Sequence, residues 1–120
     1  PQYEIGELPD GFSENPQKGF CTAGMSVHYY EDKDGEAIVL RYIYMQQGSM
    51  SGVDTENSDI ISVSVNGCDG YLIIPKEAGC NNTITWSDAE SNLHFTIDAP
   101  LGKNDILHIA ESVYLVKTTK

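Results

Sequence analysis

Leu101-Gly102-Lys103-Asn104-Asp105-Ile106-Leu107-His108-Ile109-Ala110-Glu111-Ser112-Val113 is the stretch of this 120-residue chain in which apolar residues recur every three to four positions. Ile106, Ile109, Ala110 and Val113 fall at i, i+3, i+4 and i+7, the stripe of an amphipathic helix. Gly102 stands where an N-cap belongs, and Asp105 sets a carboxylate in the first turn, where the positive end of the helix dipole favours it. The spacing predicts a helix over 103–113, with its stripe turned to a core and Glu111 and Lys117 turned to water.

Upstream the beat is two residues. Ile61, Val63 and Val65 alternate with Ser62 and Ser64, and Asn66-Gly67 follows, a pair that tolerates the positive φ of a tight hairpin turn. The returning strand is Gly70 to Ile74, stopped by Pro75. A second pair runs over Thr83 to Ser87 and Asn92 to Asp98, with Ile84 and Trp86 on one side of the first and Leu93, Phe95 and Ile97 on one side of the second. Earlier, Ser26 to Tyr30 is β-prone, Asp32 to Gly35 reads as a turn, and Glu36 to Gln46 is apolar on both sides. That strand should be covered twice and central, with Arg41 as its lone interior charge in need of a carboxylate or a route to solvent. Residues 46–59, rich in Gly, Ser and Thr, read as a mobile loop. Residues 1–25 are rich in turn-formers, with Tyr3 and Ile5 as a short edge strand that ends before Pro9. The expectation is one α+β domain over 1–120. It has an irregular opening over 1–25, a curved antiparallel meander of five to seven strands over 26–98, and a C-terminal helix over 103–113 packed on the sheet.

Composition limits the function classes. With 40% apolar and 21% charged residues the chain suits a packed domain. Its longest uncharged apolar runs, of which Tyr71 to Ile74 is one, are far short of the ~20 residues of a membrane helix. Eighteen acids against seven bases give a net charge of −11, which argues against sequence-independent binding to nucleic acid or to an anionic membrane. The acids are spread along the chain, as expected of solvated turns; a surface for a basic partner is the sharper alternative. The chain starts at Pro1 without a leader, which reads as a segment of a longer protein whose signal or anchor lies upstream.

Few residues suggest chemistry. Cys21, Cys68 and Cys80 are an odd number, with no C-x-x-C pair. They read as free thiols, with a Cys68–Cys80 disulfide as the alternative, worth roughly 3 kcal/mol for a loop of that length. Asp32, Asp34 and Glu36 lack the glycine spacing of a calcium loop and read as a hairpin turn. His28, His94 and His108 lie on three different elements, so no shared metal site is expected. Gly48-Ser49-Met50-Ser51-Gly52 carries Met where a G-x-S-x-G elbow carries its nucleophile. No catalytic, metal or cofactor residue is assigned. Of the aromatic residues, Tyr29, Tyr42, Tyr44, Tyr71 and Trp86 are the candidates for a ligand groove on the face opposite the helix; otherwise they fill the core.

Four motifs carry a resemblance. They are Tyr3-x-Ile5-x-x-Leu8-Pro9-Asp10-Gly11-Phe12, Val65-Asn66-Gly67-x-x-Gly70-Tyr71, Thr85-Trp86-Ser87-Asp88, and the Leu101–Val113 helix with its Ile109-Ala110-x-Ser112 core. Together they resemble the domain of unknown function 4367 family, C-terminal domains of membrane-anchored, anti-sigma-factor-like proteins of Gram-positive bacteria. The three cysteines and the acidic turn over 31–36 depart from its pattern. The resemblance implies an extracytoplasmic α+β domain without catalytic residues. The expected role is sensing or interaction, with an unidentified protein or small ligand as partner, no nucleic acid, and contact with a membrane only through an upstream anchor. A carrier for an apolar ligand or peptide between sheet and helix is the alternative, and a small hydrolase the third reading.

Overall fold

The computed structural model describes residues 2–15, 17–21, 24–44, 58–75, 81–90 and 92–116. In chain order these form β1 (Gln2–Ile5), β2 (Ser13–Glu14), β3 (Phe20–Cys21), β4 (Met25–Glu31), β5 (Ala37–Tyr44), β6 (Ser58–Val65), β7 (Cys68–Pro75), β8 (Asn82–Asp88), β9 (Leu93–Ala99), α1 (Lys103–Glu111) and β10 (Val113–Val116). Residues 46–57 of the expected loop, with its 48–52 segment, and Cys80 and Lys117 lie outside the described residues. The Cys68–Cys80 pairing lies there too; Cys68 itself carries a free thiol.

The main sheet is antiparallel, in the order β2-β4-β5-β9-β8-β7-β6, with β3 sharing the outer edge of β4 with β2. The Asn66-Gly67 turn joins β6 to β7, its φ values of 52° and 86° being those that Asn and Gly tolerate. Gly35, at φ 85°, closes the β4–β5 turn, where the Asp32 carboxylate accepts hydrogen bonds from the Asp34 and Glu36 N–H groups. That acidic segment is a hairpin turn, as its spacing suggested.

One face of the sheet is closed. Leu72, Ile84, Ile97 and Leu40 lie side by side across four strands with no exposed surface, and Ile106, Ile109 and Ala110 of α1 join the same core. Gly102 is the N-cap of α1, as expected. The helix stops at Glu111, two residues before the predicted end. Val113 begins β10, which pairs with β1 in a separate two-stranded sheet in the register Gln2↔Val116 to Ile5↔Val113. Val113-Tyr114-Leu115-Val116 has β-formers throughout, and pairing satisfies backbone groups of β1 that would otherwise lie unbonded against the core. The opening segment is therefore not irregular. It holds three short strands, and Tyr3 and Ile5 belong to this ribbon and not to an edge of the main sheet.

The other face is open. β5 is central, but covered once: Ile38, Leu40 and Tyr42 are buried while Arg41 and Ile43 are exposed. A run apolar on both sides suggested two covering layers. An antiparallel sheet tolerates one wet face, and here the half-exposed Ala37 and Val39 are small enough to sit on it.

Candidate functional site

Alternation along the strands decides what the open face carries. Arg41 on β5 lies directly beside Thr96 on β9, and Thr96 beside Thr85 on β8. One rung over, Ile43 sits between Met25 of β4 and His94 of β9. These residues, with Thr83 and Ile73, line a shallow groove of about 360 Å³ that crosses the sheet from β4 to β7. Its middle is polar and its two ends are apolar, with Met25 and Ile43 at one and Ile73 at the other. Among the described residues no carboxylate reaches Arg41 within ion-pair distance. Arg41 takes the route to solvent, not the buried pair.

His94 is fixed by β8. Its Nε2 lies 2.6 Å from Thr85 Oγ1, and its Nδ1 lies 2.9 Å from Ser87 Oγ. Thr85 donates its single hydroxyl proton to the Phe95 carbonyl at 3.0 Å, so Nε2–H donates to Thr85 and Ser87 donates to Nδ1. The imidazole is held neutral in that tautomer. Burial pushes its pKa down, and the charge of Arg41 pushes it down further. Both hydroxyl partners are neutral, and no carboxylate orients the ring. The arrangement holds hydrogen-bonding groups in place; it is poorly suited to activating a nucleophile, which needs a stabilised imidazolium. Thr83, the next hydroxyl along β8, donates to Asp98.

A second polar cluster lies on the closed face, beneath β1. Glu14 accepts from His28 Nδ1 at 3.0 Å, and His28 Nε2 lies 3.2 Å from the Tyr42 hydroxyl. The Tyr42 hydroxyl in turn accepts from the Tyr3 N–H at 3.0 Å, and the Tyr30 hydroxyl accepts from the Ile5 N–H at 3.4 Å. Two tyrosine hydroxyls thus hold the β1 backbone onto the main sheet, with the Tyr3 ring edge-on to Tyr42 and Phe95. Burial raises the pKa of Glu4, and its hydrogen bond with Glu14 raises it further. A carboxylate–imidazole–hydroxyl chain has the outline of a catalytic triad. Its hydroxyl, however, belongs to the buried Tyr42 and is already engaged by a backbone N–H.

The five aromatic groove candidates separate. Tyr29 and Tyr71 are on the open face, Tyr71 well exposed. Tyr44 is exposed at the end of β5, on the opposite side from Arg41 and Ile43. Tyr42 and Trp86 are core residues: Trp86 stacks on Phe95 at 5.1 Å, so neither lines the groove. Sequence reasoning missed Thr83, Thr85, Thr96 and His94 as a group. The signal was there in Thr83-x-Thr85 facing Thr96 across one hairpin, beside the lone strand charge Arg41. The three histidines stay apart: His28 is under β1, His94 is in the groove, and His108 on α1 pairs with Glu7. Among the described residues no three His, Cys, Asp or Glu side chains gather as metal ligands, and no helix is long and apolar enough to cross a membrane.

Comparison with known families identifies the chain. The sequence model of the family described as Domain of unknown function (DUF4367) matches residues 2–113, and the chain belongs to that family. Searches of curated proteins and of solved structures find no match.

Proposed function

We propose that this chain is a non-enzymatic, extracytoplasmic sensing or interaction domain of a membrane-anchored bacterial protein, and that it meets its ligand on the open face of the main sheet. The observation that carries the reading is the groove over β4, β5, β9, β8 and β7. There an exposed arginine without a carboxylate partner among the described residues stands between fixed hydroxyls and two apolar ends. A face that only needed to be soluble would not gather Ile43, Ile73, Tyr71 and Met25 around the one cation that lines the groove among the described residues. The resemblance to anti-sigma-factor-like proteins is what supports the extracytoplasmic, membrane-anchored part of the reading. A carrier between sheet and helix is less well supported, because Leu72, Ile84, Ile97 and Ile106 fill that space. A hydrolase is the weakest of the three, since His94 has no carboxylate to orient it.

The test is chemical-shift mapping of the isotope-labelled domain against fractionated cell-envelope extract, alongside protease treatment of intact cells that make the full-length protein. Perturbed amides should gather on β5, β8 and β9 around Arg41, and external protease should remove the domain. Perturbations gathered on α1 or the β1–β10 ribbon, or a domain protected until the cells are lysed, would overturn the reading.

A further inference from the structure

We propose that the open-face groove is a binding site for a small monocarboxylate joined to an apolar body, with Arg41 as the partner of the carboxylate. This rests on the open face being the binding surface and adds the class of ligand.

Charge comes first. Lys18 is neutralised by Glu31 at 2.6 Å, whereas Arg41, on the central strand, faces Thr96 and His94 and no acid within ion-pair distance among the described residues. An arginine offers a planar fork that matches a carboxylate by two parallel hydrogen bonds. The groups beside it, Thr85, Thr96 and His94, are uncharged. One cation beside these neutral groups, with the Asp98 carboxylate two residues along β9 already bonded by Thr83, leaves room for one added negative charge. A phosphate dianion would bring a second charge, and among the described residues no second cation lines the groove, in a protein already at −11.

Shape comes next. A groove of about 360 Å³ is at the small end of ligand sites. Ile43, more than a third exposed, is next to Met25 on one side of Arg41, and Ile73 lies across β8 and β9 on the other. A ligand whose carboxylate meets Arg41 has an apolar wall within reach in either direction, so it needs an apolar body and no second charge. Two sources offer that chemistry, a short fatty acid and the C-terminal residue of an apolar peptide.

His94 provides a reporter. Arg41 from β5 is the charged group that lines the groove with it; its β8 neighbours Thr85 and Ser87 are neutral, and Asp98, further along β9, is engaged by Thr83. A carboxylate on Arg41 cancels the repulsion that disfavours imidazolium, so ligand binding should raise the pKa of His94.

The experiment titrates the labelled domain with hexanoate, N-acetyl-leucine, hexanamide and inorganic phosphate, following amide shifts and the His94 ring signals. Both carboxylates should bind saturably on β5, β8 and β9, and the tighter one names the source. Hexanamide should bind roughly tenfold to a hundredfold more weakly, the worth of a charge-assisted hydrogen-bond pair. Arg41→Gln should lose a similar factor with an unchanged fold, since Arg41 is exposed, and Arg41→Lys should recover only part of it. The His94 pKa should rise on saturation in the wild type and stay put in Arg41→Gln. Hexanamide binding as tightly as hexanoate, phosphate outcompeting both carboxylates, or Arg41→Gln binding unchanged would each overturn the proposal. If neither carboxylate binds while envelope extract still perturbs β5, β8 and β9, the ligand class falls and the surface stands. If extract perturbs another face, both fall.

Discussion

Replacing Gly70 by alanine tests how closely β7 and β8 approach each other beneath the site. Gly70 is buried on β7 opposite Trp86, and it is not among the glycines with positive φ, so its backbone accepts alanine. On conformational grounds alone Gly70→Ala should stabilise by about 0.4–1 kcal/mol, by restricting the unfolded chain. The packing says otherwise. A methyl group there would stand 2.8 Å from Trp86 Cβ and nearer still to the Thr85 carbonyl oxygen. Carbon–carbon contacts settle near ~3.5–4.0 Å, so β8 must move by close to an ångström or Trp86 must turn off Phe95. Neither neighbour is a flexible chain end. Overpacking of this kind costs roughly 1–3 kcal/mol, and a disturbed aromatic stack adds about 1 kcal/mol. The net expectation is a loss of about 2 kcal/mol. Trp86 is the sole tryptophan, so its fluorescence in a urea titration reports on this contact directly. The midpoint should fall by roughly 1 M, while Gly24→Ala, with nothing within 4 Å of the added methyl, should keep the conformational gain and hold or slightly raise it. A Gly70→Ala midpoint at or above that of the wild type would refute the argument.

Substitutions at two further positions probe the polar contacts. The pKa of Glu4 is raised above its ordinary 4.5 by burial first and by Glu14 second, so the folded state holds that proton more tightly than the unfolded chain does. The stability it contributes is full below the ordinary value and is lost as pH climbs through the raised one. Glu4→Gln keeps a donor toward Glu14 without the ionisation. Its denaturation midpoint should match the wild type at pH 4 and exceed it at pH 7.5, and a deficit at pH 7.5 would count against the shared proton. Asn66 has a left-handed φ, and its Nδ2 donates to the Glu111 carbonyl at 3.0 Å, tying the β6–β7 turn to the end of α1. Asn66→Gly should lose only that bond, about 0.5–1 kcal/mol, and Asn66→Ala about 1 kcal/mol more for the strained backbone, both read from thermal midpoints. Equal losses would show that the turn conformation costs nothing there.

The period-two strands and the single period-3.6 stripe were legible because one shared core imposes them: Leu72, Ile84, Ile97 and Ile106 meet where their spacing placed them. Glu36 to Gln46 misled for a physical reason. Val39 and Ile43 fit a half-wet strand face as well as a core and Ala37 is small enough for either, so composition cannot count the layers above a strand. The end of α1 was misplaced because Val113 fits the helical stripe as well as a strand, and the choice is made by β1, more than a hundred residues away. For Tyr42 and Trp86 the sequence leaves groove and core both open, because an aromatic suits either; burial assigns them to the core. The groove itself depends on cross-strand register, which brings Arg41, Thr96 and Thr85 into one row. Each residue was in plain view in the sequence, but their adjacency was not.

The β1–β10 ribbon has a mechanical side. Its antiparallel register puts Gln2 next to Val116, so whatever the protein attaches at either flank meets the domain at one spot. A load drawn between the two flanks would work on that ribbon one rung at a time, as a zipper opens, leaving the broad sheet unstressed until the zipper is spent. The same tug would lift Tyr3 and Ile5 away from the Tyr42 and Tyr30 hydroxyls, so pulling on the flanks and the loosening of that latch are one event.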